Sequence, residues 1–309
     1  MMAAQATGTT FAGLPEVRGR LTANAPLAPQ SWFRVGGAAE LLFRPADAED
    51  LAHLLECWPS EMPPTVLGAA SNVIIRDGGI QGLVIRLGGG FAGVSVESDG
   101  IIAGAATLDI TLAEHAAAAG LAGLEFMSGI PGSVGGAVAM NAGAYGGDVS
   151  QVLDWVEIVT SDGDLLRLPA KALQLSYRHA KLPAASVVVR ARFRASHGDA
   201  GAIAARMAQI RTSREATQPI RARTGGSTFR NPPDMKAWEL IDAAGCRGLA
   251  RGGAQVSEKH CNFLLNLGTA TAADLEGLGE DIRRRVQDGS GVTLEWEIKR
   301  IGKPLGTAP

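Results

Sequence analysis

The sequence lacks an excess of charge of either sign. Its 309 residues include 29 Lys and Arg against 31 Asp and Glu, which gives a formal net charge of −2. Proteins that bind nucleic acid usually carry a basic patch or stripe, and no cluster of Lys and Arg supplies one here. Nucleic acid is therefore not an expected partner.

Long hydrophobic runs are also absent. No segment reaches about 18 consecutive apolar residues, which is close to the length that a membrane-spanning helix needs. The N-terminal segment does not combine a charged region with a following apolar stretch, so it lacks the pattern of an export signal. The sequence thus predicts neither a membrane span nor export, and we expect a cytoplasmic protein.

Cysteine is scarce and histidine is scattered. Cys57, Cys246 and Cys261 are an odd number at irregular spacing, which excludes a disulfide framework and a zinc cluster and fits a reducing compartment. We expect all three to be buried thiols. No two histidines have the spacing of metal ligands, so no metal site is predicted. The histidines are His53, His115, His179, His197 and His260.

Aromatic residues make up only 5% of the chain, whereas 46% of it is hydrophobic and 40 residues are glycine. This composition is typical of a loop-rich protein with both helices and strands. A chain of this length favours two or three domains. Changes in composition divide it into a poorly structured lead at 1–31, a second part at 32–198 and a third part at 199–309.

Short apolar strands separated by glycine turns are predicted through the second part. A helix is expected from the cap Asp47 to about Cys57, and another from Thr111 to Gly120. Strict alternation over 187–194 predicts a half-buried strand. In the third part we expect helices at 200–215, 233–245 and after Thr271, whose spacing to Asp274 resembles a capping box. Strands are expected at 261–266 and 292–299, the second with Glu295 and Glu297 on its polar face.

The glycine-rich segment 128–147 is the most informative part of the chain. Glycine permits positive φ and lets a ligand approach main-chain N–H groups, so such a segment can bind a pyrophosphate. A plain surface loop is the alternative, but Ile130, Val134 and Met140 between the glycines are unusual for one. Candidate cofactor contacts here are Ser128, Gly129, Ile130, Pro131, Gly132, Ser133, Gly135, Gly136, Ala137 and Asn141.

A second turn lies between two apolar strands of the same part. Its main-chain N–H groups and a hydroxyl could face a phosphate, although such a turn is often only structural. Two such segments suggest a dinucleotide. The spacing of neither segment matches a Rossmann fingerprint or a P-loop, so the cofactor would use a different cradle. The candidate contacts in this turn are Gly68, Ala69, Ala70, Ser71 and Asn72.

Three polar side chains are candidates for chemistry. Ser227 lies in a flexible glycine-containing loop without the G-x-S-x-G pattern of a hydrolase nucleophile, so it is a candidate proton donor. Arg178, after Tyr177, offers a planar guanidinium that suits a carboxylate. Glu297 is a candidate acid on the closing strand. Each has an ordinary alternative as a turn residue, a surface ion pair or an exposed strand carboxylate.

Several motifs, taken in order, resemble the UDP-N-acetylenolpyruvoylglucosamine reductase family. The resemblance covers nearly everything from Trp32 to Gly302, and the motifs are specific as a set although each is weak alone. The short run from Tyr177 into the strand at 187 is similar to the shorter subtype. The motifs are Phe33–Gly37, Gly68–Asn72, Arg76–Ile80, Ser128–Ala137, Asn141–Gly147, Tyr177–Arg178, Gly226–Pro232 and Leu294–Glu297.

This resemblance implies an α+β architecture. The second part would be an FAD-binding domain of the vanillyl-alcohol oxidase and p-cresol methylhydroxylase type with two subdomains, and the third part a substrate-binding C-terminal α+β domain. The implied cofactors are FAD and NADPH. The implied reaction converts UDP-N-acetylglucosamine enolpyruvate to UDP-N-acetylmuramate during peptidoglycan precursor synthesis.

Residue roles carry over by matching motifs. Arg178 and Glu297 would stabilise an enolate after hydride delivery to the terminal carbon of the enolpyruvyl group, and Ser227 would protonate the adjacent carbon. Implied substrate-binding residues are Tyr177, Arg178, Asn231 and His260. Ala70 departs from the glycine that is common in the family.

Two alternatives remain at this point. An FAD-linked oxidase of a small hydroxy acid or alcohol would use the same cradle but would not need the three polar side chains. A sugar-nucleotide-binding protein without catalytic activity could have kept only the loops.

Overall fold

In a computed structural model of the chain, residues 13–306 are described. The helices are α1 (Ala48–Glu56), α2 (Asp109–Ala118), α3 (Val134–Ala139), α4 (Val149–Val152), α5 (Ala200–Thr217), α6 (Ala237–Ala243) and α7 (Ala272–Ser290). The strands are β1 (Arg20–Pro26), β2 (Ala38–Arg44), β3 (Thr65–Val66), β4 (Val73–Ile75), β5 (Ile80–Ile85), β6 (Val94–Glu97), β7 (Gly100–Gly104), β8 (Leu121–Ala122), β9 (Gly143–Ala144), β10 (Gly147–Asp148), β11 (Leu153–Val159), β12 (Leu165–Pro169), β13 (Val187–Arg194), β14 (Ser196–His197), β15 (Arg223–Thr224), β16 (Ala250–Arg251), β17 (Ala254–Val256), β18 (Leu264–Asn266) and β19 (Lys299–Ile301).

The described chain divides into two compact units. The first unit comprises residues 13–25, 40–69 and 82–212, and the second comprises 26–39, 70–81 and 213–306. Both contain helices and strands, in agreement with the α+β class.

The first unit is built on two larger sheets. One has the strand order β1-β2-β5-β3, and the other has the order β12-β11-β13-β7-β6. Strand β13 lies in the centre of the second sheet and pairs antiparallel with β11 and β7. The strand predicted at 187–194 is confirmed, but its single apolar face is not, because Val188 is buried too. The register shifts between Val188 and Arg190, so Val187 and Val189 pack in one core cluster, whereas Val188, Ala191 and Phe193 pack in another.

Helices α1 and α2 of the first unit lie close to their predicted positions, whereas α3 and α4 were not predicted from the sequence. The Asp47 side chain accepts a hydrogen bond from the Asp50 N–H at 3.0 Å and caps α1, as predicted. Helix α2 begins two residues earlier than expected, at Asp109. Leu112, Ala113 and Ala116 of α2 pack into the core beneath β13 and β7.

The second unit contains the antiparallel sheet β15-β18-β17-β16 and the parallel pair β4–β19. Helix α7 buries Leu275, Leu278 and Ile282 in this core. Its predicted capping box is confirmed, because Thr271 and Asp274 each accept a backbone N–H from the other.

The prediction of an unstructured lead is wrong for residues 20–30. Strand β1 occupies Arg20–Pro26 and pairs in the first sheet, and a short 3-10 helix follows at Ala28–Gln30. Its Ala-, Thr- and Pro-rich composition concealed a strand that pairs with β2, the next strand along the chain. The part of the lead at 1–12 lies outside the described residues.

The division at 32–198 and 199–309 also differs from the structure. Segments 26–39 and 70–81 belong to the second unit, because β4 pairs with β19 and Phe33 packs in the core of that unit. Residues 200–212 of α5 belong to the first unit, where Ile203 and Met207 are buried. Such long-range pairings leave no signal in local composition.

The predicted closing strand at 292–299 is mostly an extended segment without ladder pairing. Only Trp296 forms a bridge, to Phe229, and regular pairing starts at Lys299. The alternation itself is confirmed, because Leu294 and Ile298 are buried and Glu295 is exposed.

Two further expectations need correction. Helix α6 starts at Ala237 rather than 233 because Asp234 has φ +56°, a left-handed conformation that a helix excludes. Cys246 and Cys261 are buried as expected, but Cys57 is exposed at the end of α1. Among the helices of residues 13–306, none has both the length and the apolar character required to cross a membrane.

Gly279 provides a test of packing in the second unit. A Cβ at this position would overlap the ring of Trp296. That ring cannot easily move, because its Nε1 donates to Glu280 Oε1 at 2.9 Å and Arg300 stacks on it. We expect Gly279→Ala to lower the free energy of unfolding by about 1–3 kcal/mol, the usual cost of overpacking.

Gly289 of the same helix is the matched control, because a Cβ there meets no atom within 4 Å. We expect Gly289→Ala to be neutral or stabilising by up to about 1 kcal/mol, since alanine is the better helix former. Urea denaturation of both variants makes the comparison. Equal effects at the two glycines would contradict the packing described here.

Candidate functional site

The two predicted glycine segments meet at one cavity in the first unit. The cavity has a volume of about 220 Å³. Gly68 and Ala69 line it from the turn after β3, and Ser133, Gly135 and Gly136 line it from the longer segment. The structure therefore brings together five of the predicted cofactor residues.

Glycine is needed here because two backbone segments approach closely. The Val134 N–H donates to the Thr107 carbonyl at 2.9 Å, and the Gly135 N–H donates to the Ala105 carbonyl at 2.9 Å. A Cβ on Gly135 would lie 2.9 Å from the Ala105 Cβ. This pairing fixes the course of the segment from which Ser133 and Gly136 face the cavity.

The cavity has polar groups suited to an anion. The Ser133 hydroxyl is buried and has no hydrogen-bond partner among the described residues. A Cβ on Gly68 would lie 2.7 Å from this hydroxyl, so the glycine keeps the space in front of Ser133 open. The half-buried guanidinium of Arg86 also lines the cavity. A pyrophosphate would supply the missing partner for Ser133, and its negative charge suits the nearby guanidinium of Arg86.

Asp109 lies beside this cradle and was not predicted from the sequence. Its carboxyl is fully buried, and neither oxygen has a hydrogen-bond partner among the described residues. A Cβ on Gly132 would lie 2.5 Å from Asp109 Oδ2, so the carboxyl packs directly against that glycine. Burial raises the pKa of Asp109 well above its usual value, which favours the protonated, neutral carboxyl.

Other predicted cofactor residues serve different contacts in the first unit. The Ser128 hydroxyl donates to the Glu125 carbonyl at 2.6 Å, and Gly129 packs against the Tyr145 ring. Ile130 packs on the core and Ala137 is buried within it. None of these residues lines the cavity, and neither do Pro131, Gly132 and Asn141.

Arg178 occupies a tight turn of the first unit. Ser176 and His179 pair through two backbone hydrogen bonds of 3.0 Å each, which leaves Tyr177 and Arg178 at the tip. Arg178 has φ +55°, an uncommon conformation for a residue with a Cβ. Its Nη1 donates to the Gly143 carbonyl at 3.1 Å, and its guanidinium lies 5.2 Å from the Tyr177 ring centroid.

Ser227 and Glu297 lie on neighbouring segments of the second unit. The Glu297 N–H donates to the carbonyl of Thr228 at 2.9 Å, so the segment carrying Glu297 lies alongside the segment carrying Ser227. Gly225 packs against Phe33, where a Cβ would lie 2.6 Å from the ring. Both candidate side chains are partly exposed.

Asn262 fixes the loop that carries Ser227. Its backbone carbonyl accepts from the Thr228 N–H at 2.7 Å, and its side-chain amide exchanges two hydrogen bonds with the backbone of Phe229. Asn262 was not predicted from the sequence, because nothing in its position along the chain indicates a contact with Thr228.

Asn72 belongs to the second unit, whereas Gly68 and Ala69 belong to the first. Its Nδ2 donates to the Glu297 carbonyl at 3.3 Å, and a Cβ on Gly226 would lie 3.6 Å from its Oδ1. Asn72 therefore contacts the segments that carry Ser227 and Glu297. Ala70 adopts φ +51°, a conformation that favours glycine. Glycine is common at this position in the family that the sequence resembles.

His260 and Asn231 complete the predicted set in the second unit. His260 packs edge-on against Phe263, with ring centroids 4.9 Å apart, and faces Trp238. Burial lowers the pKa of His260, which favours the neutral imidazole. Asn231 Oδ1 accepts from the Ala237 N–H at 3.0 Å, at the start of α6.

Known proteins resemble the chain over nearly its full length. Residues 39–169 match the FAD binding domain model, and residues 218–301 match the model of the UDP-N-acetylenolpyruvoylglucosamine reductase C-terminal domain. A UDP-N-acetylenolpyruvoylglucosamine reductase of Acidiphilium cryptum is 66% identical over 304 residues, which is 98% of each chain.

Solved structures agree with these matches. The crystal structure of UDP-N-acetylenolpyruvylglucosamine reductase from Thermus caldophilus has a TM-score of 0.80 and 36% identity, and covers 93% of this chain and 100% of its own. A 6-hydroxy-D-nicotine oxidase from Arthrobacter nicotinovorans has a TM-score of 0.57 over 92% of this chain and 89% of its own, at 10% identity. The second similarity concerns the fold alone.

Gly136 tests whether the cavity holds the cofactor. A Cβ at this position has only the Ser133 hydroxyl within 4 Å, at 3.8 Å, so the protein itself tolerates a larger residue. We expect Gly136→Val to fold but to weaken FAD binding at least tenfold, roughly the effect of 1–3 kcal/mol of overpacking against the ligand. The measurement is titration of the flavin-free protein with FAD.

The control is Gly289→Val, which changes a helical glycine outside the cavity in the same way. Its FAD affinity should match that of the unchanged protein. If Gly136→Val binds FAD as tightly as this control does, the cofactor does not occupy the cavity.

The raised pKa of the buried Asp109 carboxyl should make the stability of the protein depend on pH. The unfolded carboxyl titrates near pH 4, whereas the buried one keeps its proton to higher pH. The unfolded state therefore releases a proton in this interval, and stability falls as the pH rises from about 4 to the raised pKa. In Asp109→Asn this loss is absent, so the free energy of unfolding should improve relative to the unchanged protein as the pH rises.

Urea denaturation between about pH 5 and about pH 8 measures this difference. The informative quantity is the slope with pH of the difference in free energy of unfolding between the two proteins. The size of the difference is less informative, because the asparagine amide changes the stability by an amount that does not depend on pH. A difference that does not change with pH would mean that Asp109 is not held neutral.

Proposed function

The chain belongs to the UDP-N-acetylenolpyruvoylglucosamine reductase family, and on that premise we propose that Arg178, Ser227 and Glu297 carry out its reaction. The enzyme reduces UDP-N-acetylglucosamine enolpyruvate to UDP-N-acetylmuramate with NADPH and FAD, in peptidoglycan precursor synthesis. The observation that carries the residue roles is the pairing of the Ser227 and Glu297 segments through Thr228.

FAD is assigned to the cavity between Gly68 and Gly136. The partnerless Ser133 hydroxyl and the Arg86 guanidinium fit its pyrophosphate, and the missing side chain of Gly68 leaves room for it. When bound, FAD supplies a carrier that accepts a hydride from NADPH and delivers it to the terminal carbon of the enolpyruvyl group.

Ser227 is proposed as the proton donor. After hydride delivery the adjacent substrate carbon is strongly basic, so even a neutral hydroxyl can protonate it. The loop is held by Asn262 through three hydrogen bonds, which limits the positions that the Ser227 side chain can adopt. Such restriction is what a positioned acid requires.

Glu297 and Arg178 are proposed to stabilise the enolate. Negative charge builds up on the enolate beside the substrate carboxylate. The planar donors of a guanidinium can bind the enolate and the carboxylate together. Glu297 would contribute by donating a hydrogen bond in its protonated form. His260, Asn231 and Tyr177 are proposed to contact the substrate.

The family membership does not favour the two alternatives raised by the sequence. Relatives that match along nearly the entire chain carry the reductase name, rather than that of an oxidase or a binding protein. We further propose that the enzyme acts in the cytoplasm, where its nucleotide substrates are made and used; the buried, unpaired Cys246 and Cys261 are compatible with a reducing compartment.

Rapid-mixing kinetics of the two half-reactions test the role of Ser227. We expect Ser227→Ala to leave reduction of the flavin by NADPH within about twofold and to slow its reoxidation by the enolpyruvyl substrate by about 10²–10⁴-fold, the usual contribution of a general acid. Both steps are followed without oxygen by the flavin absorbance.

Ser60→Ala serves as the control, because Ser60 is exposed in a loop after α1 and does not line the cavity. Both of its half-reactions should keep their rates. Equal slowing of the two half-reactions in Ser227→Ala would refute the proton-donor role, because that residue would then affect the flavin site in general.

A further inference from the structure

We propose that Asn141 is a positioning residue that holds the turn carrying Arg178, rather than a ligand of the cofactor. The side chain of Asn141 does not line the FAD cavity. Instead its Nδ2 donates to the Ser176 carbonyl at 2.9 Å, at the base of the turn. The consequence for catalysis rests on the role proposed above for Arg178.

The turn needs support from outside because of its conformation. A two-residue turn with a left-handed second residue favours glycine or asparagine at that position, and here the residue is Arg178 at φ +55°. A left-handed residue with a Cβ is strained relative to glycine. Such conformations persist where the surrounding structure determines them.

Asn141 is suited to provide that support. It is 5% exposed, and its Oδ1 accepts from the Ser150 N–H at 2.8 Å while its Nδ2 binds the Ser176 carbonyl. The two partners fix the orientation of the amide, because Ser150 offers only a donor here and Ser176 only an acceptor. The side chain therefore ties the turn to the start of α4.

The same short segment also holds the guanidinium. Gly143 lies two residues after Asn141, and its carbonyl accepts from Arg178 Nη1 at 3.1 Å. Residues 141–143 thus contact the backbone at the base of the turn and the functional end of the Arg178 side chain. Loss of the Asn141 amide would release the first contact and leave the cavity-lining residues unchanged.

Asn141→Gly is the variant that tests this clamp. Asn141 itself has φ +41°, and glycine accepts that conformation, so the substitution removes the amide without straining the backbone. The matched control is Asn24→Gly, which changes an exposed asparagine at φ +49° in β1. If Asn141→Gly does not fold, Asn141→Asp takes its place, because it keeps the acceptor for Ser150 and loses only the donor to Ser176.

The first readout is the split between half-reactions. We expect Asn141→Gly to retain FAD and its reduction by NADPH within about twofold, and to slow reoxidation by the enolpyruvyl substrate by about 10–100-fold, the effect of a small misplacement of a catalytic group. In an Arg178→Ala background the same change should have almost no further effect, because the clamp acts through Arg178. A purely structural role would instead slow the reaction in both backgrounds.

The second readout does not depend on activity. Trypsin cleaves after arginine, and a turn that opens more often is cut faster. We expect cleavage after Arg178 to be about tenfold faster in Asn141→Gly than in the unchanged FAD-loaded protein, if the lost bond is worth the usual ~1 kcal/mol or slightly more. Asn24→Gly should not change it.

The outcomes separate the two proposals. Unchanged cleavage, loss of FAD, or equal slowing in the Arg178→Ala background would overturn the clamp. Faster cleavage with a substrate half-reaction that is insensitive to Arg178→Ala would uphold the clamp and contradict the proposed role of Arg178.

Discussion

The close backbone approach between residues 105–109 and residues 132–135 is the constraint on which the candidate cofactor site depends. It is made possible by glycine at 132 and 135, where any side chain would meet Asp109 or Ala105. Backbone hydrogen bonds across the approach hold the segment in place. Ser133 and Gly136 thereby face the same cavity as Gly68, and one short stretch of chain becomes a cradle for a pyrophosphate.

This approach buries two polar groups, which are accommodated differently. Ser133 keeps a hydroxyl without a protein partner beside the cavity, where a ligand can satisfy it, whereas burial raises the pKa of Asp109 and favours its neutral form. The later residues of the glycine-rich segment, from Asn141 onward, contact the turn of Arg178 instead. One continuous motif thus combines the candidate cofactor cradle with support for a side chain proposed to act in catalysis.

The sequence predicted local structure well and long-range structure poorly. The caps at Asp47 and Thr271 depend on neighbouring residues and were correct. Strand β1 was missed because its Ala-, Thr- and Pro-rich composition concealed its pairing with β2, and the closing strand was overpredicted because alternating burial does not require ladder pairing. Within the site, glycine spacing indicated the cradle, but Asp109 and Asn262 gave no signal, because their contacts depend on tertiary packing.

The most direct test of the cradle is a crystal structure of the FAD-loaded protein. We expect the pyrophosphate to lie in the cavity between Gly68 and Gly136, with the Ser133 hydroxyl donating to a phosphate oxygen. A pyrophosphate bound elsewhere, with the Ser133 hydroxyl still lacking a partner, would contradict this assignment.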